Sequence, residues 1–283
     1  MVASDLRIVA LQLRGKKPLL YCVPGAGSDA LALRELAHCL GEEQPFFAFQ
    51  PAGLDGRASY LRSVEEMASL NLRALREQRP KGPYHLCGTS FGGVVAFEMA
   101  RRLVAEREEL PFLALLDTYG GEYPKLRSDL GFRQKLRLAL RYFLPVGQRE
   151  TLNWPQLRKG LREWYRRRLI DLDLRFDFLP LPRPYQLRFL YLQEACFAAR
   201  RRYKLQPFPG RLHLFRIEEQ PPPDLFHVDP YLGWRGTAED GIEIHDLPGR
   251  HGEHLREPHV RELARKITAC LARVESELAF CRS

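Results

Sequence analysis

From Ile8 to Asp117, short apolar runs bounded by turn residues alternate with longer segments whose apolar positions keep helical spacing. Few architectures satisfy that alternation besides a mainly parallel sheet with crossover helices. The pattern predicts strands at Ile8–Leu13, Leu19–Val23, Phe46–Gln50, His85–Thr89 and Phe112–Asp117, then Leu212–Ile217 and Ile242–Leu247. Helices are predicted between them at Ala30–Leu40, Val64–Arg79 and Phe91–Arg107. The unbroken apolar character of Leu19–Val23 and Phe112–Leu116 implies strands covered on both faces. A last helix is expected from Pro258, with Val260, Leu263, Ile267, Leu271, Val274 and Leu278 as its sheet-facing stripe.

The alternation stops after Asp117 and resumes at Leu212. The interval reads as helices, with Phe132, Leu136, Leu140 and Phe143 at helical spacing, as are Leu157, Leu161, Trp164 and Tyr165. Pro180-Leu181-Pro182-Arg183-Pro184 breaks it in two. The expected organisation is therefore a core over residues 1–118 and 210–283, interrupted by a helical lid insertion at 119–209. The net charge of +9 is concentrated there: residues 125–204 hold 20 Lys/Arg against 7 Asp/Glu. No helix-turn-helix, zinc-finger or RNP-type signature accompanies the charge, so no nucleic-acid partner is expected. No run approaches the roughly 18 apolar residues of a membrane span. The first residues lack the layout of a secretory signal, which makes the cytoplasm the expected compartment. Six cysteines, at 22, 39, 87, 196, 270 and 281, show no CxxC pair or metal-ligand spacing and are expected to be free thiols.

Gly88-Thr89-Ser90-Phe91-Gly92 fits G-x-S-x-G, with a strand candidate directly before it and a helix directly after. So sharp a turn strains the serine backbone, excludes bulky residues at positions 88 and 92, and presents Oγ to a substrate. The setting is that of a nucleophile elbow in an α/β-hydrolase fold, with Ser90 as candidate nucleophile and the Phe91 N–H, at a helix N-terminus, as a candidate oxyanion donor. In this fold the acid and the histidine follow the serine in that order. Asp117, ending an apolar strand, is the candidate acid; Glu218, Glu219 and Asp224, after the next strand, compete with it. For the base, His251 and His254 compete within one loop between the last strand and the last helix. Their spacing is not H-E-x-x-H and no third ligand accompanies it, so no metal is expected there.

Gly25-Ala26-Gly27-Ser28-Asp29-Ala30 follows a strand and opens a helix, which also satisfies the dinucleotide pattern G-x-G-x-x-A. That reading wants an acid at the end of the second strand, where this chain has Gln50-Pro51. In a hydrolase the same loop supplies the second oxyanion donor, here the Ala26 N–H.

Taken with these residues, four stretches resemble the thioesterase domains of nonribosomal peptide synthetases and polyketide synthases. They are Ile8–Gln12 through Cys22-Val23-Pro24-Gly25-Ala26-Gly27; Gln50-Pro51-Ala52-Gly53-Leu54-Asp55-Gly56; Cys87–Ala100; and Pro248-Gly249-Arg250-His251 through Val260. The resemblance implies Asp117 as the acid and, from the P-G-x-H segment, His251 rather than His254 as the base. It also implies an acyl-enzyme on Ser90, no bound cofactor, and a substrate presented on the phosphopantetheine arm of an acyl or peptidyl carrier protein. Carrier proteins are generally acidic, which gives the basic lid segment a reading as their docking face. General esterase chemistry and a non-catalytic binding role are the competing expectations. The lid segment itself matches nothing closely.

Overall fold

The structure, a computed structural model, describes residues 8–55, 59–131, 154–176 and 185–282. Seven strands, β1 (Ile8–Gln12), β2 (Leu20–Val23), β3 (Phe46–Phe49), β4 (His85–Thr89), β5 (Phe112–Leu116), β6 (Leu212–Ile217) and β7 (Ile242–Leu247), form one sheet in the order β1-β3-β2-β4-β5-β6-β7. β1 pairs antiparallel with β3, and every other pair is parallel. Six described α-helices flank it: α1 (Arg34–Leu40), α2 (Val64–Gln78), α3 (Phe91–Ala105), α4 (Trp154–Phe176), α5 (Tyr185–Arg202) and α6 (His259–Arg282). This is the mainly parallel sheet flanked by helices that the alternation predicts, in the α/β-hydrolase arrangement that the elbow implies. No described helix is long and apolar enough to cross a membrane.

The two-residue period of the strands sorts their side chains into two cores. Tyr21, Phe47, Leu86 and Leu113 pack with Leu72 of α2, Phe97 of α3 and Leu192 of α5. Leu20, Cys22, Phe46 and Ala114 pack on the opposite face with Leu36 of α1 and Leu263, Ile267 and Leu271 of α6. Every residue of β2 and β5 is buried, as their unbroken apolar runs require. The expected α6 stripe lies in this second core, with Leu278 packed at its edge.

Boundaries shift where local chemistry outweighs periodicity. Leu13 is exposed and falls outside β1. Ala30–Leu33 forms a 3₁₀ turn before α1, because the Asp29 carboxylate caps Ala32 N and tightens the entry. Asp117 leaves β5 with φ +46°.

In the segment expected as a lid, Phe132, Leu136, Leu140, Phe143 and the Pro180–Pro184 break lie outside the described residues. Leu161, Trp164 and Tyr165 are on a helix, α4, as expected, but their stripe faces outward: Leu161 is 49% and Tyr165 61% exposed, whereas Ile170 and Leu174 are buried. α5 docks on the core through Tyr191, Leu192, Ala195, Cys196 and Ala199. Just beyond its end, the Tyr203 hydroxyl donates to Glu98 Oε2 at 2.9 Å. Burial pushes the Glu98 carboxyl up, but hydrogen bonds from Arg101, Arg102 and Tyr203 outweigh it and hold the carboxyl below its ordinary range. One charged group thus ties the end of α5 to α3.

Candidate active site

The elbow is built from β4, Ser90 and α3. Ser90 has φ +51° and ψ −124°, a conformation an L-residue keeps only when its surroundings impose it. Those surroundings are crowded. A side chain at Gly88 would collide with the Gly92 carbonyl, and one at Gly92 with the carbonyls of Val23 and Pro24. One at Gly93 would collide with Thr118, a constraint the five-residue pattern does not contain. Ser90 N donates to Leu116 O at 2.8 Å, and the Ser90 carbonyl accepts from Gly93 N at 3.1 Å.

Asp117 follows β5, and its backbone N–H donates to Phe215 O of β6 at 2.7 Å. Its carboxylate is buried, with 1% of the side chain exposed. His251 enters from the β7–α6 loop between two glycines of positive φ, Gly249 and Gly252. Nδ1 of His251 hydrogen-bonds Asp117 Oδ2, and Nε2 stands 3.2 Å from Ser90 Oγ. Tyr119 stacks on the imidazole with ring centroids 5.6 Å apart and planes at 26°, so the ring that bridges acid and serine is held from its face as well. Of the competing acids, Glu219 pairs with Arg250 at 2.7 Å, and Glu218 and Asp224 are exposed.

His254 turns the other way. It is buried beneath the elbow with Nε2 2.8 Å from Thr89 Oγ1, and burial pulls its pKa down to about 4. It is therefore neutral at neutral pH and supports the last residue of β4 rather than reaching Oγ. Sequence reasoning did not find its partner Thr89, nor Tyr119, nor Trp234. Trp234 is fully buried and its indole N–H donates to Thr118 O at 2.8 Å, fixing the segment just after Asp117. Only the strand-end position of Thr89 carried a signal.

The glycine loop stands against the elbow: a Cβ placed on Gly25 would lie 3.5 Å from Ser90 Cβ. Ala26 follows in that turn, and Phe91 opens α3 on the other side of Ser90. Gln50, where a dinucleotide-binding acid would stand, instead accepts from Ala30 N at 3.0 Å and pins the loop. α5 lies over the same loop, since a Cβ on Gly27 would lie 3.2 Å from the Phe189 carbonyl. Beside the loop opens an apolar cavity whose lining includes Gly25, Phe91, Phe49, Met67, Leu192 and Cys196.

Part of the chain is similar to known proteins. Residues 18–138 match the family model described as a thioesterase domain. Atromentin synthetase of Tapinella panuoides is 40% identical over 111 residues, covering 39% of this chain and 12% of that protein. Indigoidine synthase of Dickeya dadantii (strain 3937) is 40% identical over 123 residues, covering 44% of this chain and 8% of that protein. The chain thus spans about a tenth of the length of these relatives. The thioesterase domain of NocB, from the nocardicin cluster, superposes with a TM-score of 0.65 and 22% identity over 95% of this chain and all of its own, a likeness of fold. The family-model match lies over the glycine loop, the elbow and Asp117, so residues 18–138 are similar to a thioesterase domain, within a chain that has the α/β-hydrolase fold.

Proposed function

We propose that the chain releases an acyl, polyketide or peptidyl group from the phosphopantetheine thioester of a carrier protein through a Ser90 acyl-enzyme. The observation that carries this reading is the relay in which Asp117 holds His251 Nδ1 and His251 Nε2 faces Ser90 Oγ at 3.2 Å. Oγ adds to the thioester carbonyl while His251 takes its proton, and the buried Asp117 carboxylate stabilises the imidazolium. Phe91 N–H and Ala26 N–H donate to the oxyanion. As the tetrahedral species collapses, the C–S bond breaks and His251 returns the proton to the departing thiolate, leaving the acyl group on Ser90. Water, or a nucleophile within the acyl chain, then repeats the addition with His251 again as base.

A lid over residues 119–209 fits this chemistry in two ways. α5 covers the glycine loop, and the segment's Lys/Arg excess complements an acidic carrier. The apolar cavity accommodates the acyl chain. Met67→Trp, which fills it, is expected to lower kcat/KM for long acyl chains about 10–100-fold while sparing acetyl, measured on a chain-length series of acyl-pantetheine thioesters.

The reading itself is tested by comparing an acyl-carrier thioester with the p-nitrophenyl ester of the same acid. A higher kcat/KM for the thioester is the expected result. Preference for the oxygen ester would return the chain to general esterase chemistry.

A further inference from the structure

Away from the elbow, β6, β7 and α6 bring together His213, Glu243, His245 and Cys270, whose donor atoms all lie within 4.8 Å of one another. His213 and Glu243 are register partners across β6 and β7, His245 is two residues further along β7 on the same face, and Cys270 descends on them from α6. The cluster is hidden in the sequence, because its four positions come from three separate elements and only Glu243 and His245 are close along the chain.

The spacing within the cluster is specific. His213 Nδ1 and His245 Nε2 are 3.3 Å apart. His245 Nε2 lies 3.5 Å from Glu243 Oε1 and 3.5 Å from Cys270 Sγ, and His213 Nδ1 lies 3.6 Å from Glu243 Oε2. The nitrogen–oxygen and nitrogen–nitrogen separations exceed the roughly 2.7–3.2 Å of ordinary hydrogen bonds. The His245 Nε2 separations, 3.3 Å to His213 Nδ1 and 3.5 Å to Cys270 Sγ, match instead two edges of a metal tetrahedron: bonds of about 2.0–2.1 Å to nitrogen and about 2.3 Å to sulfur require edges near 3.3 Å (N–N) and 3.5 Å (N–S). We propose that His213 Nδ1, His245 Nε2, a Glu243 carboxylate oxygen and Cys270 Sγ form a structural site for a zinc-class divalent cation.

The surroundings suit such a site. His245 is stacked against Phe215 at 4.6 Å and His213 packs against Phe112 with ring centroids 5.0 Å apart and planes tilted by 33°, so both rings are held in place by packing. Arg273 Nη2 donates to both oxygens of Glu243, at 2.7 and 2.5 Å, orienting the carboxylate as outer partners of metal ligands do. Burial keeps His213 down at about 4 and lowers His245, leaving neutral imidazoles at neutral pH, while it pushes the Cys270 thiol up to about 11. Binding would therefore displace the thiol proton. Two imidazoles, a thiolate and a carboxylate close a tetrahedron of protein ligands, the pattern of a structural rather than a catalytic zinc. The cation would staple the last two strands to the last helix, the scaffold that carries the His251 loop between them.

The test uses the full chain, stripped with a chelator and titrated with Zn²⁺ and with Co²⁺. The expected result is one equivalent of metal, a raised thermal midpoint, and a cobalt spectrum with tetrahedral d–d bands and a thiolate-to-cobalt charge-transfer band. Cys270→Ser should remove that band, and Glu243→Gln, at a half-buried position that tolerates the change, should weaken binding by at least the roughly 10–100-fold that even outer partners are worth. Absence of stoichiometric binding by the wild type would overturn the proposal. So would a charge-transfer band that survives Cys270→Ser, which would move the metal to another cysteine.

Discussion

Replacing Ser90 with Ala is expected to lower thioester release by about 10⁴–10⁶-fold, the loss seen when a serine nucleophile is removed from such a relay. Folding should be unaffected. The strain at φ +51° is a property of the turn, imposed by contacts of Gly88 and Gly92 with backbone carbonyls, and Ala occupies that conformation about as well as Ser. The Ser90 backbone bonds to Leu116 and Gly93 also remain. What disappears is the Oγ beside His251 Nε2, and with it the route through a covalent intermediate. Steady-state release of an acyl-pantetheine thioester, with circular dichroism as the control for folding, reads both halves of the prediction. Turnover within tenfold of wild type would sink the nucleophile assignment.

The second large effect separates two histidines three residues apart. His251→Ala is expected to cost about 10⁴-fold or more in kcat, since it removes both the base and the group through which Asp117 acts. His254→Ala should leave activity within about tenfold and instead cost on the order of 1–3 kcal/mol of stability, because a buried Thr89 hydroxyl loses its partner. Denaturant melts and kinetics on the two variants should therefore rank them in opposite orders. A larger activity loss from His254→Ala would reassign the base.

That pair also marks how far sequence reading reaches. Both histidines lie on one loop between a strand and a helix, and nothing in their spacing decides which reaches the serine. The family resemblance favoured His251; physically, the separation comes from Thr89, whose hydroxyl draws His254 under β4 while Gly249 and Gly252 swing His251 toward Asp117. The strands were legible because their alternation and bounding turns are local: β4, β6 and β7 fall at their predicted bounds. The glycine loop was legible as a loop, but the role of Gln50 in pinning it depends on a contact across twenty residues.

The helical insertion was less legible for a different reason. α4 carries apolar residues on more than one face, so a stripe through Leu161, Trp164 and Tyr165 could be drawn, yet the side buried in the structure holds Ile170, Asp173 and Leu174. Composition located the basic charge of this segment correctly and could not say which face meets the core. The His213–Cys270 cluster was illegible altogether, because its four donors are assembled by β-register and by the seating of α6 rather than by any short motif.

The proposed mechanism makes Ser90 the carrier of the acyl group between donor and product. Its most direct test is the intact mass of the chain, quenched within one turnover of mixing with an acyl-loaded carrier protein and then digested to place the modification. The prediction is a mass increase of one acyl group, located on the Ser90 peptide and discharged on further incubation. An acyl group on another residue, or thioester turnover with no acylated species at any time, would contradict it.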